Sequence, residues 1–151
     1  MQVARGSLGA LHPGGLPLPH RFALRVYYED TDLAGIVYYA NYLKFIERGR
    51  SEWVKSLGVD QGRLRAEQGI VFAVRRVEAD YLRPAKFDDD LVVETRVMAV
   101  TGARILLQQL VLRGEERLFS ALVTLVCLTD AGAAARVPLE LRAILAPVAV
   151  I

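Results

Sequence analysis

Residues 28–42 read YEDTDLAGIVYYANY. Three acids open the stretch, Glu29, Asp30 and Asp32, and Ala34-Gly35 supplies a small-residue turn. An apolar, aromatic run follows and leads into an amphipathic helix predicted from about Asn41 to Leu57. An acid just ahead of a helix N-terminus lies beside unsatisfied backbone N–H groups and the positive end of the helix dipole. Such a pairing can activate a nucleophile and polarise a carbonyl.

Downstream, Tyr42, Ile46, Gly49, Trp53 and Leu57 recur at helical spacing, while Lys44, Glu47, Arg48 and Lys55 populate the other side. Gly49 sits on the apolar stripe, where it permits close approach to a sheet. Gly58 is placed to end the helix, and Asp60 to cap a short second one over 61–68, closed by Gly69. Four strand-like runs come next, over 70–82, 91–100, 103–113 and 117–129. In the first, Val71, Ala73, Val77, Ala79 and Tyr81 are assigned to one face, with Arg76, Glu78 and Asp80 on the other. Residues 130–136 read as a loop, and 138–145 as a short helix with Pro138 near its start.

Upstream, Arg21 to Tyr28 reads as a strand with Phe22, Leu24 and Val26 on one face. Residues 1–20, rich in Gly and Pro, are expected to be a disordered extension, and 21–151 the folded domain. Short turns between consecutive strands imply antiparallel pairing, so the class is α+β, with one long helix on one face of a sheet. The last two long strands are apolar on both faces, and one helix covers only one of them. A homo-oligomer is expected on that ground.

The 151 residues suffice for one domain with a substantial core. A net charge of +2, scattered along the chain, argues against a nucleic-acid face. The single Cys127 rules out an internal disulfide and reads as a buried small hydrophobe. No apolar run reaches the length of a membrane span, and the first twenty residues lack a signal-peptide pattern, so a cytoplasmic location is expected. Both histidines, His12 and His20, fall in the tail and read as solvated bystanders. A Ser-His-Asp triad, a Cys-His pair or a His-rich zinc site is therefore not expected in the core.

The stretch 28–42 closely resembles the hotdog-fold acyl-CoA thioesterases, and within them the branch containing the 4-hydroxybenzoyl-CoA and Tol-Pal-associated thioesterases. Phe45 to Arg48, Arg50 to Glu52, Phe72 to Arg76, Tyr81 to Ala85 and Asp88-Asp89 extend the resemblance over roughly residues 21–130. It implies a five-stranded antiparallel sheet wrapped around the long helix. Two protomers then join their sheets, with a tetramer as the larger assembly and the substrate tunnel at the dimer interface. The resemblance carries the catalytic aspartate onto Asp32, as nucleophile or as general base on water. It carries the carbonyl-polarising backbone N–H onto Tyr39. Substrate contacts are expected from Asp30, Gly35, Ile36, Val37 and Asn41, and CoA phosphate contacts from Arg75 and Arg76 among the basic residues. Arg83, Lys86 and Arg104 are further candidates.

The implied reaction is hydrolysis of an acyl-CoA to CoA and a free acid, with acyl carrier protein open as a donor. No metal and no cofactor is called for, since coenzyme A is part of the substrate. Tol-Pal-type members usually carry His where this chain has Tyr39, which removes an imidazole and favours direct attack by Asp32. Two rivals remain. One is a non-catalytic acyl-CoA-binding protein acting as a sensor, against which the retained Asp32 counts. The other is a hotdog dehydratase or hydratase, disfavoured by the lack of core histidine. Asp32 read by itself is a turn cap, Asp30 a backbone acceptor, and Asn41 an N-cap.

Overall fold

The computed structural model describes residues 18–150. Most of the expected extension, including His12, lies outside the described residues. The elements are β1 (His20–Arg25), α1 (Asn41–Ser56), α2 (Gln61–Gln68), β2 (Ile70–Tyr81), β3 (Asp90–Val100), β4 (Arg104–Arg113), β5 (Glu116–Thr129), β6 (Ala134–Ala135) and α3 (Leu139–Leu145). The sheet order is β1-β3-β4-β5-β2, with β6 paired to β5. All its pairings are antiparallel. The α+β arrangement expected from the resemblance is the one found, with the two-residue β6 added inside the stretch read as a loop.

The helix α1 packs against β1, β3 and β4. Tyr42, Ile46, Gly49, Trp53 and Leu57 are all buried, as their spacing requires, together with Phe45 and Val54. A Cβ at Gly49 would run into the Val93 side chain, so the glycine permits the close approach of helix to sheet. Asp60 caps α2, accepting from the Arg63 N–H at 3.0 Å. Gly69 closes α2 at a φ of 65°. Cys127 is buried, and desolvation pushes its thiol up.

Three expectations are corrected. The first strand stops at Arg25, and Tyr28–Asp30 forms a 3-10 turn. Asp30 draws the chain round by accepting the Tyr27 N–H at 2.9 Å. His20 is not a solvated bystander. It opens β1 opposite Thr95, and burial lowers its pKa despite nearby Glu52. The face assignment in β2 also fails. Val74 pairs with Leu125 and Arg76 with Thr124, so Arg75 is an inserted bulge residue. The inner row on the buried face of β5 is therefore Phe72 and Val74, then Val77, Ala79 and Tyr81. Val71 and Ala73 turn to the opposite face.

Two surfaces are left without cover. β2 lies at the end of the sheet with its outer edge unpaired among the described residues. Val74, Val77, Tyr81 and Leu82 are exposed there. The face away from α1 presents Leu106, Val126 and the exposed Leu122.

Candidate active site

Asp30 organises the acidic turn. The residue is 4% exposed. One carboxylate oxygen holds the Tyr27 N–H, and the other accepts from Asn41 Nδ2 at 2.7 Å. Its backbone carbonyl accepts the Tyr38 N–H at 2.9 Å. One residue thus ties the end of the β1 segment to the first residue of α1. Asp30 and Asn41, both expected as substrate contacts, are hydrogen-bonded to each other.

Above them the chain doubles back. The Asp32 N–H donates to the Ile36 carbonyl at 2.9 Å, and the Gly35 N–H donates to the Asp32 carbonyl at 3.0 Å. Thr31 bridges Val37, and Ile36 bridges Lys86. Gly35 takes a φ of 77°, a left-handed value that suits glycine, and nothing lies within 4 Å of where its Cβ would be. Asp32 stands exposed on this turn, with one oxygen accepting the Ala34 N–H at 2.9 Å. The capping geometry and an accessible carboxylate therefore coexist in one residue, leaving the second oxygen free among the described residues. Val37, also expected to contact substrate, is 4% exposed and packs in the core of the protomer.

Tyr39 comes just before α1. Its N–H donates no hydrogen bond among the described residues, while its carbonyl accepts from the Tyr81 hydroxyl at 3.0 Å. Desolvation raises the Tyr81 phenol, with Tyr39 and Tyr42 adding to the effect, so it stays protonated and able to donate. Beneath, the Tyr42 hydroxyl accepts the Ala85 N–H at 2.9 Å, and the Ala85 carbonyl accepts the Val37 N–H at 2.8 Å. The rings of Tyr42, Tyr81 and Phe119 pack around this point. The free N–H at the head of a helix is a ready hydrogen-bond donor for a developing oxyanion.

Arg75 and Arg76 are not brought to this turn within one protomer. They lie mid-way along β2, with Tyr81 roughly 16 Å further on by strand rise. Arg76 pairs with Glu78, and Arg83 is tied to Glu116 at 2.8 Å. Lys86, bridged to Ile36, is the basic candidate that does adjoin the turn. Tyr81 was given no role on sequence grounds. Its signal was present in the run Tyr81 to Ala85, but only the fold places that run against Tyr39. Among the described residues, no three His, Cys, Asp or Glu side chains converge as a metal site would need.

Known proteins are similar to this chain over most of its length. Residues 34–120 match the thioesterase superfamily, a segment that starts two residues after Asp32. A Haemophilus influenzae protein named acyl-CoA thioesterase YbgC is 46% identical over 106 residues, spanning 70% of this chain and 78% of its own length. An Escherichia coli protein named acyl-CoA thioester hydrolase YbgC is 36% identical over 110 residues, spanning 73% and 81%. The crystal structure of a probable thioesterase from Bartonella henselae superposes with a TM-score of 0.77 at 39% identity, covering 80% of this chain and 99% of that one. With the acidic turn, the long helix and the wrapped sheet all in place, the chain belongs to the thioesterase superfamily.

Proposed function

We propose that the protein hydrolyses acyl-CoA thioesters, with Asp32 as the nucleophile and the Tyr39 N–H as the donor to the oxyanion. The observation that carries this reading is the free Tyr39 N–H at the head of α1, beside a turn that holds the Asp32 carboxylate exposed. The names of the Haemophilus and Escherichia relatives supply the substrate class.

In the first step an Asp32 oxygen adds to the thioester carbonyl carbon. The carbonyl oxygen gains negative charge against the Tyr39 N–H. The C–S bond then breaks, CoA leaves as its thiolate, and the acyl group remains on Asp32 as a mixed anhydride. Water adds to the anhydride, the free acid departs and the Asp32 carboxylate is restored. A histidine base is disfavoured because the described histidine, His20, lies on β1 and no imidazole occupies position 39, which leaves the chemistry to Asp32. The site is completed by a second copy adding to the free edge of β2, which carries exposed Val74, Val77 and Tyr81.

The test is thiol release from a panel spanning acetyl, butyryl, palmitoyl and 4-hydroxybenzoyl-CoA, on wild type and on Asp32→Asn. Turnover by the wild type that falls by about 10²–10⁴ in the variant is expected. In a rapid quench, thiol is expected to appear ahead of free acid by up to one equivalent per site, the mark of the anhydride. Simultaneous release would make Asp32 a general base. Binding without turnover on any substrate would leave a binding protein in place of an enzyme.

A further inference from the structure

A second polar site lies away from the acidic turn. Glu47, Arg50, Ser51 and Val54 of α1, with Phe72 and Val74 of β2, line a pocket of about 200 Å³. Arg50 is half-buried in it. Its guanidinium carries five donors. One of them, Nη1, reaches Gln109 Oε1 at 3.0 Å, a neutral acceptor. Gln109 is itself fully buried and fixed, its Nε2 donating to the Ile46 carbonyl and to Thr95 Oγ1, both at 2.9 Å. No carboxylate lies within ion-pair distance of Arg50 among the described residues. Burial pulls its pKa down, with Glu47 acting the other way. A cation that has lost solvent and gained one neutral partner leaves donors to spare. Glu47, which takes the Ser51 hydroxyl at 3.0 Å, sets an acceptor on the same wall.

The pocket opens beside the first residues of β2, whereas Tyr81, the last residue of β2, reaches Tyr39. A twofold copy adding to this edge pairs β2 antiparallel with itself. The start of one β2 then lies across from the end of the other. In such a dimer the pocket of one protomer would face the Asp32 turn of its partner. A thioester held at that turn would then send its acyl chain toward Arg50 across the interface.

We infer that Arg50, with Glu47, reads the far end of the acyl group bound at the partner's site, and that the preferred substrate is a short acyl-CoA bearing a hydroxyl group. A hydroxyl both accepts from the guanidinium and donates to the carboxylate. A terminal carboxylate would satisfy Arg50 but confront Glu47. This inference rests on the hydrolase reading and on the dimer that completes it.

The test uses three acyl chains of matched length, butyryl, 4-hydroxybutyryl and succinyl-CoA, with kcat/KM read by thiol release. Wild type is expected to prefer 4-hydroxybutyryl over butyryl by at least about tenfold, the scale of one hydrogen bond to a charged group. Succinyl is expected to do no better than butyryl. In Arg50→Met the ratio falls to about one, and in Arg50→Lys, which keeps a single-point donor, it stays between the two. A ratio taken on one preparation cancels any loss of folded enzyme. A wild-type ratio near one, a ratio that survives Arg50→Met, or a preference for succinyl would overturn the assignment while leaving the hydrolase reading intact. Absence of thiol release from all three chains and from the wider panel would remove both.

Discussion

Asp30 is a buried carboxylate with both oxygens in use, and that fixes what its loss would do. Asp30→Ala leaves the Tyr27 N–H and the Asn41 amide without acceptors. Buried donors left unmet cost about 1–3 kcal/mol each, so a stability loss of about 2 kcal/mol or more is expected in urea unfolding. Thiol release should fall with it, since the turn that presents Asp32 is anchored through Asp30. Unchanged stability would mean that the Asp30–Asn41 contact contributes nothing to the turn. At this scale the sequence was legible in part. Asp32, Gly35 and Tyr39 stand out in YEDTDLAGIVYYANY, and the structure places Asp32 and Gly35 on one turn, with Tyr39 two residues past the Thr31–Val37 bridge that closes it. Tyr81 and Gln109 did not stand out. The Tyr81 contact to Tyr39 spans 42 positions and the Gln109 contact to Arg50 spans 59, and neither separation leaves a local pattern.

At the scale of elements, α1 was the most legible, because its apolar positions repeat on one side and Gly49 sits among them. Gly49→Ala sets two effects against each other. Alanine favours a helix interior over glycine by about 1 kcal/mol. Overpacking a filled contact costs about 1–3 kcal/mol. The added methyl would meet Val93 head on, so the second effect outweighs the first and a net loss is expected. Adding Val93→Ala should recover part of it, giving a favourable coupling in a double-mutant cycle. Additive losses would place the strain elsewhere. β2 was the least legible element. Alternation alone cannot reveal a bulge, because an inserted Arg75 carries no sign of being extra. The end of β1 was missed for a related reason. Val26, Tyr27 and Tyr28 are good strand formers, and the Asp30 carboxylate overrides them.

For the molecule as a whole, the β4–β5 turn is linked to the loop before β3 by charge. Arg113 bonds Glu116 at 2.8 Å and Asp89 at 2.7 Å, and Glu116 also takes Arg83 at 2.8 Å. These hydrogen bonds, that of Arg113 foremost, hold the Glu116 carboxyl below its ordinary value. A carboxyl lowered on folding adds stability at pH values above its unfolded-state pKa, and that addition is lost as pH falls through the folded-state value. Wild type should therefore exceed Glu116→Gln in urea midpoint at pH 7, and the gap should close in acid, below the ordinary glutamate range. The group is solvent-accessible, so the gap should be small and should narrow in high salt. A gap that is constant with pH would make the contribution steric. The α+β class was open to sequence reading because short turns dictate antiparallel neighbours. The His20 placement was not, since Gly and Pro just upstream masked the start of the strand.

The bulge at Arg75 bears on how this protein could change over descent. N-terminal to it, Phe72 and Val74 point to the helix side, and beyond it Val77, Ala79 and Tyr81 do. One residue lost between those groups would not merely shorten the strand. It would exchange the greasy and polar rows on one side of the gap, much as a frameshift garbles everything on one side of a deletion. Side chains along this segment can drift one at a time, but its length is held fixed.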